Sequence, residues 1–184
     1  MPLRVAHLLP CTEAEGPGRR TAIWVQGCRI RCPGCCNPEL FGVSGGEPWS
    51  TGALVHAARV AGTEGVTLLG GEPLDQPEAV TDLSRAAREA GLSVLLYSGY
   101  ARDEVCARAP DLLQWVDVLV DGPYDEQQPE GAARRWIGSR NQGLHFLTDR
   151  YGPADFRGAN TVELRLRGGV LTVNGWPAPG TLRR

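Results

Sequence analysis

Three cysteines with short, unequal spacing are the residues of this sequence most clearly suited to chemistry. Cys28, Cys32 and Cys35 form a C-x3-C-x2-C pattern. Three thiolates on one tight loop can ligate three irons of a [4Fe–4S] cluster and leave the fourth iron open to another ligand. Pro33 and Gly34 favour a turn that brings the sulfur atoms together. The spacing therefore predicts an iron–sulfur site with one open coordination position.

A structural zinc site is the alternative interpretation of the same cysteines. Zinc normally takes four ligands, commonly as two C-x2-C pairs, and only Cys32 and Cys35 form such a pair. The other thiols, Cys11, Cys36 and Cys106, form no compact ligand set, but they leave an auxiliary cluster open as a further hypothesis. Cytosolic cysteines are expected to be reduced, which favours metal binding over disulfides.

Glycine-rich and polar motifs follow the predicted strands. Each comes directly after an apolar run, and in chain order they are Gly70-Gly71-Glu72, Ser98-Gly99 and Asp121-Gly122. Because the carboxyl ends of parallel strands meet at one edge of a sheet, we expect these motifs to lie where a ligand binds. The glycine pair permits close approach of a ligand to the backbone, and the Glu72 carboxylate can accept hydrogen bonds from an ammonium group.

Apolar strands that alternate with amphipathic helices predict an α/β fold. Ser50 can cap one helix, and Pro77 can open a second. Helices between apolar strands indicate parallel β/α units, and the length allows about four to six of them in a partial, open β/α barrel. Apolar and polar side chains alternate over residues 162–167, and Gly168-Gly169 then turns the chain into Val170–Val173, which predicts a C-terminal β-hairpin with one wet face.

The chain is expected to form a single domain, residues 1–184, with its core in residues 21–150. A C-terminal hairpin extension is predicted over residues 160–176, and sealing a sheet edge is favoured over covering a substrate opening. The predicted strands are Arg4–Leu9, Thr21–Val25, Val66–Leu69, Ser93–Tyr97, Val116–Val120 and Leu144–Leu147.

Composition excludes several classes of function. The 184 residues carry 19 basic and 21 acidic side chains, a net charge of −2, which argues against nucleic acid and polybasic membrane contacts. All the basic residues are arginine, so mechanisms that need a lysine Schiff base or a Walker-type lysine are excluded. No apolar run approaches the ~20 residues that cross a bilayer, and the N-terminus has no secretory pattern. A cytoplasmic location is therefore expected.

Taken in order, these motifs resemble the radical S-adenosylmethionine (SAM) superfamily. Within it they resemble the activating enzymes of glycyl-radical enzymes, including the family of anaerobic ribonucleoside-triphosphate reductase-activating proteins. The likeness covers residues 22–142. The segments that carry it are Trp24-Val25-Gln26-Gly27-Cys28, Cys32-Pro33-Gly34-Cys35-Cys36-Asn37-Pro38-Glu39, Gly70-Gly71-Glu72-Pro73-Leu74, Tyr97-Ser98-Gly99-Tyr100, Asp117-Val118-Leu119-Val120-Asp121-Gly122 and Arg135-Trp136-Ile137-Gly138-Ser139-Arg140-Asn141-Gln142.

The resemblance implies a role for each motif. Cys28, Cys32 and Cys35 would ligate a [4Fe–4S] cluster, whose open iron would be chelated by the amino and carboxylate groups of SAM. Cys36 departs from these activases, which commonly have an aromatic residue or histidine at that position. The residues that would contact SAM, or for the last four a nearby cation, are Gly34, Cys36, Asn37, Gly70, Gly71, Glu72, Ser98, Gly99, Asp121 and Gly122.

The resemblance also implies a reaction and partners. The cluster would reduce SAM to a 5′-deoxyadenosyl radical, which abstracts hydrogen from a glycine of a partner glycyl-radical enzyme. An electron donor of the flavodoxin or ferredoxin type would be needed, whereas no catalytic side chain beyond the cluster and SAM is required. Two other hypotheses stay open: a radical enzyme acting directly on a small metabolite or peptide, and a non-catalytic iron–sulfur protein.

Overall fold

The computed structural model describes residues 1–131 and 133–175, in which strands and helices alternate. The strands are β1 (Leu3–Thr12), β2 (Arg20–Val25), β3 (Glu47–Trp49), β4 (Gly65–Gly70), β5 (Ser93–Tyr97), β6 (Val118–Asp121), β7 (Gly143–Phe146), β8 (Val162–Arg167) and β9 (Val170–Gly175). The α-helices are α1 (Thr51–Val60), α2 (Pro77–Glu89) and α3 (Arg102–Arg108). No helix within the described ranges has the length and apolar character needed to cross a membrane. The end of the predicted extension, Trp176, lies outside the described residues.

One sheet of seven strands organises the fold, in the order β3-β1-β2-β4-β5-β6-β7. The inner strands β2, β4, β5 and β6 are parallel, and the outer pairings are antiparallel. The predicted α/β class and the C-terminal two-stranded hairpin are confirmed. The short edge strand β3 was not predicted, because a three-residue strand with Pro48 at its centre carries no alternation signal.

Helices cover one face of this sheet. Leu54 of α1 and Leu83 of α2 are fully buried in the same cluster as Leu68 of β4 and Leu96 of β5. The predicted start of α1 is confirmed, since the Ser50 side chain accepts a hydrogen bond from Ala53 N at 3.2 Å. The helical face therefore follows from local periodicity and capping.

The opposite face of the sheet is covered by irregular segments. Trp136, Ile137 and Phe156 pack against Leu95 of β5 and β6 residues in a second buried cluster. The Trp136 and Phe156 rings meet edge to face, with centroids 5.4 Å apart. The segments that pack on this face have no helical sequence pattern, so only the structure identifies them.

A buried arginine joins the starts of three parallel strands on the sheet. The guanidinium of Arg20 on β2 donates to Thr67 Oγ1 at 3.1 Å, to Val66 O at 2.5 Å and to the Ser93 hydroxyl. It also donates to the Tyr151 hydroxyl at 3.1 Å. Burial lowers the pKa of Arg20, and these neutral acceptors replace the water that a guanidinium would otherwise bind.

The hairpin of β8 and β9 has two chemically different sides. Its polar side faces the protein: Glu13 N donates to Glu163 Oε1 at 2.6 Å, and Asn174 Nδ2 donates to Thr12 Oγ1 at 2.8 Å. Its apolar side is exposed, and the leucine and valine residues there are Leu164, Leu166, Leu171 and Val173. The alternation predicted the strands correctly, and the structure shows that the solvent-exposed face is the apolar one.

This orientation predicts unequal costs for the same substitution. Leu166 is 72% exposed and Leu68 is 0% exposed. Leu166→Ala should change the free energy of unfolding by less than about 0.5 kcal/mol. Leu68→Ala should lower it by about 3 kcal/mol, because it leaves a core cavity. Urea denaturation of both variants checks this, and equal losses would contradict the exposed placement of the hairpin leucines.

A half-buried carboxyl at the base of the hairpin gives the fold a pH dependence. Burial raises the pKa of Glu15 from 4.5 to about 7, despite a hydrogen bond from Gly175 N to Oε1 at 2.8 Å. Between these values the native state binds more protons than the unfolded state, so its stability should fall as pH rises from about 4.5 to 7. Glu15→Gln should flatten this fall in urea titrations at pH 5 and pH 8. An unchanged slope would contradict the prediction.

Candidate cofactor site

The cysteine loop leaves the sheet at the carboxyl end of β2 and is closed at its base. Gly27 N donates to Leu40 O at 3.0 Å, and Cys28 N donates to Phe41 O at 3.4 Å. These bonds join the first residues of the loop to the 3₁₀ helix Pro38–Phe41 that ends it. The loop is therefore anchored to the central sheet before any ligand binds.

Each of the three predicted ligand thiols receives a hydrogen bond from the main chain. Ile30 and Arg31 bond to Cys28, Tyr124 bonds to Cys32, and Asn37 N donates to Cys35 Sγ at 3.4 Å. Main-chain N–H groups directed at sulfur stabilise thiolates, and they are a recurrent means of tuning iron–sulfur clusters. This arrangement fits the predicted cluster.

The electrostatics of the thiols differ along the loop. Burial raises the pKa of Cys28 and of Cys32 above the ordinary thiol value. The Cys36 thiol donates to the Cys35 sulfur and lowers the pKa of Cys35 to about 6. Cys36, the residue that departs from the activase pattern, thus lies directly beside a predicted ligand.

The other cysteines lie elsewhere: Cys11 is on β1 and Cys106 is on α3. Over residues 1–131 and 133–175, no three His, Cys, Asp or Glu side chains are placed to hold a metal ion. That finding concerns a single ion, because three ligands of one zinc ion would all lie within ~2.3 Å of it. The ligands of a cluster bind separate irons and can lie further apart.

The Gly70-Gly71 pair lies against the root of the cysteine loop. Gly71 N donates to Val25 O at 2.9 Å, and Glu72 N donates to Gly27 O at 2.7 Å. A Cβ on Gly71 would lie 2.1 Å from Gly27 O, and one on Gly70 would lie 2.6 Å from Trp24 Cα. The glycines were predicted to give a ligand room, and the structure shows that they give room to the backbone of β2 and its loop.

The Glu72 carboxylate is buried and ties two strand ends together. Its Oε1 accepts from Leu74 N and Ser98 Oγ, each at 2.8 Å. Its Oε2 accepts from Gly99 N at 2.8 Å. Burial raises its pKa to about 7 against these hydrogen bonds, and the side chain is 1% exposed. Three protein donors thus occupy the carboxylate that the sequence assigned to a ligand ammonium group.

The motif after β5 reaches the cysteine loop from the other side. Ser98 N donates to Val120 O at 2.9 Å, which holds this turn against β6. A Cβ on Gly99 would lie 2.6 Å from Ile30 Cδ1 of the cysteine loop. The structure thus places the cysteine loop, Glu72, Ser98 and Gly99 at one edge of the sheet.

Asp121, at the end of β6, is engaged by protein groups. Its Oδ2 accepts from Arg102 N at the start of α3 at 2.7 Å, and its Oδ1 lies 2.8 Å from His145 Nε2. Gly122 N donates to Tyr100 O at 3.1 Å. The link between His145 and Asp121 crosses the antiparallel β6–β7 pair, which no local pattern reveals.

Asp75 is a site residue that the sequence did not single out. Its Oδ2 accepts from Arg29 N of the cysteine loop at 2.9 Å, and its Oδ1 lies 3.4 Å from the Tyr100 hydroxyl. It belongs to the short 3₁₀ helix Pro73–Asp75 that follows Glu72. An isolated aspartate after a Gly-Gly-Glu turn gives no signal of this contact.

Comparison with known proteins agrees with this geometry. Residues 14–145 match the profile of the family described as 4Fe-4S single cluster domain. The chain is 30% identical over 156 residues to the anaerobic ribonucleoside-triphosphate reductase-activating protein of Salmonella typhi, covering 79% of this chain and 99% of that protein. The chain belongs to the family of radical SAM activating enzymes. Its cofactors are a [4Fe–4S] cluster and SAM.

Two further similarities concern other radical SAM activating enzymes and solved structures. The pyruvate formate-lyase-activating enzyme of Clostridium pasteurianum is 33% identical over 110 residues, which are 54% of this chain and 45% of that enzyme. Among solved structures, QueE from Escherichia coli is similar with a TM-score of 0.44 and 15% identity, over 53% of this chain and 52% of QueE. The two named activating-enzyme relatives confirm the resemblance inferred from the sequence.

Proposed function

We propose that this radical SAM activating enzyme removes a hydrogen atom from a glycine Cα of a partner glycyl-radical enzyme. The observation that carries the proposal is the 30% identity to an anaerobic ribonucleoside-triphosphate reductase-activating protein over 99% of that protein. A match over the whole relative, and not over a cofactor domain alone, supports a shared type of substrate. The partner proposed is accordingly an anaerobic ribonucleoside-triphosphate reductase, with an electron donor of the flavodoxin or ferredoxin type.

The residues predicted from the sequence supply the proposed site. Cys28, Cys32 and Cys35 hold the cluster, and the main-chain N–H groups around them stabilise thiolate charge. The parallel strands form the wall of a partial β/α barrel, with SAM at their carboxyl ends. The residues proposed to line SAM are Gly34, Cys36, Asn37, Gly70, Gly71, Glu72, Ser98, Gly99, Asp121 and Gly122.

When bound, the reduced cluster and SAM supply the 5′-deoxyadenosyl radical that takes the glycine hydrogen. The chain's own contribution is placement. Glu72 fixes the relative position of the turns after β4 and β5, because its two oxygens hold Leu74, Ser98 and Gly99. Asp121 fixes the start of α3 and His145 at the same edge. Both carboxylates therefore shape the site, and neither is proposed to transfer a proton.

Anaerobic reconstitution with a candidate partner tests this function. The protein is loaded with iron and sulfide, reduced, and mixed with SAM and an anaerobic ribonucleoside-triphosphate reductase. We expect 5′-deoxyadenosine and a doublet EPR signal on the reductase, because the unpaired electron of a glycyl radical couples to the remaining Cα hydrogen. A reductase variant whose radical glycine is replaced by alanine is the control, and it should give no doublet.

Three outcomes would overturn parts of the proposal. Formation of 5′-deoxyadenosine without a signal on the reductase would reject that partner. Consumption of a small molecule or free peptide in its place would favour the direct radical enzyme considered from the sequence. Tight zinc binding without SAM cleavage would contradict the cluster assignment itself.

A further inference from the structure

The loop between β6 and β7 lies over the cysteine loop. The main chain of Tyr124 hydrogen-bonds to the Cys32 thiol. Two residues further on, the Glu126 side chain covers Gly34, where an added Cβ would lie 2.2 Å from Glu126 Oε2. Residues 122–126 therefore contact the cysteine loop at the second ligand and at the glycine that precedes the third.

Three side chains of a later segment hold this loop at points on either side of Tyr124. Gln142 Nε2 donates to Gly122 O at 3.1 Å, and Asn141 Nδ2 donates to Pro123 O at 2.7 Å. The Ser139 hydroxyl accepts from Asp125 N at 3.1 Å. We call Ser139, Asn141 and Gln142 the loop clamp.

The loop clamp is itself held in place. Gln142 Oε1 accepts from Gly138 N at 3.1 Å and from Ser139 N at 3.0 Å. Ser139 is fully buried. The Arg134 guanidinium donates to Gln142 O at 2.8 Å and to Ser139 O at 3.3 Å. These bonds preorganise Ser139 and Gln142, whereas Asn141 is exposed and is tied to the loop through Pro123 O.

We propose that Ser139, Asn141 and Gln142 are positioning residues that hold the Tyr124 N–H against the Cys32 sulfur and thereby tune and retain the cluster. The inference rests on the proposed function, because it takes Cys32 as a cluster ligand. A hydrogen bond to a ligand sulfur stabilises the more negative, reduced cluster and so raises its reduction potential. The same bond opposes loss of the ligand. The segment that resembles activating enzymes at residues 135–142 thus acts on the cluster through one loop.

Neutral substitutions in the clamp test this role without adding charge near the cluster. Asn141→Ala removes the donor to Pro123 O, and Ser139→Ala removes the acceptor of Asp125 N. In the reconstituted protein we expect a more negative reduction potential, an altered EPR spectrum of the reduced cluster, and iron release to a chelator about tenfold faster. Gln114→Ala is the matched control: this exposed amide also donates to a main-chain carbonyl, Asp111 O at 3.0 Å, but on the segment before β6.

A second measurement keeps the inference falsifiable if a variant folds poorly. Hydrogen–deuterium exchange on the wild-type protein should show slower exchange of the Tyr124 amide once the cluster is loaded. Wild-type potential and iron retention in both clamp variants would overturn the inference, as would an unchanged Tyr124 exchange rate. Failure of the wild-type protein to bind about four irons would instead reject the proposed function, so the two failures are distinguishable.

Discussion

Replacing Cys28, Cys32 or Cys35 by serine is expected to reduce bound iron from about four atoms per chain to nearly none. SAM cleavage should be abolished at the same time. Each thiol lies on the anchored loop and receives a main-chain hydrogen bond, so serine changes the ligand atom with little change of backbone. A hydroxyl is a poor replacement for thiolate toward iron. Iron and sulfide content, the EPR spectrum and the yield of 5′-deoxyadenosine after anaerobic reconstitution measure the effect.

The chain contains its own matched controls for this prediction. Cys11→Ser on β1 and Cys106→Ser on α3 make the same chemical change outside the loop. Both variants should keep about four irons and normal SAM cleavage. Retention of the cluster in any variant of Cys28, Cys32 or Cys35 would contradict the ligand assignment. Iron lost from the Cys11 or Cys106 variant would instead point to an auxiliary cluster.

Replacing Glu72 by alanine is expected to cost about 3 kcal/mol of stability and to reduce SAM cleavage at least about tenfold. The substitution leaves Leu74 N, Gly99 N and the Ser98 hydroxyl without their acceptor in a buried site. It also releases the turns after β4 and β5 from each other. Urea denaturation of the apo-protein measures the first effect, and 5′-deoxyadenosine formation by reconstituted protein measures the second.

Glu64 provides the control for Glu72, because its carboxylate also accepts from a main-chain group, Arg19 N at 3.0 Å, but is exposed. Glu64→Ala should cost less than about 1 kcal/mol, since water can replace the lost acceptor. Equal losses of unfolding free energy in the two variants would show that burial of Glu72 does not add to its contribution to stability. A stable Glu72→Ala protein with normal SAM cleavage would contradict the proposed positioning role.

Local features of the sequence determined the main elements and the cysteine loop. Cys28, Cys32 and Cys35 are so close in sequence that they must lie on one short loop. Their proximity therefore needs no contact with distant segments. Apolar runs with caps such as Ser50 predicted the parallel strands and their helices. Because the carboxyl ends of parallel strands meet at one edge, the sequence also indicated that the cysteine loop, Glu72 and Ser98 lie near each other.

Contacts between distant segments were decided by the tertiary structure alone. The Gly71 backbone lies against the root of the cysteine loop, where a Cβ would collide with Gly27 O. Glycine is needed there because of a contact between distant segments, which no local sequence pattern shows. The partners of Glu72 come from the turn after β5, and those of the loop at Tyr124 come from Ser139, Asn141 and Gln142. The orientation of the hairpin was likewise decided by tertiary contacts. Alternation determines that a strand has an apolar face, but which face meets the protein depends on the polar groups opposite it.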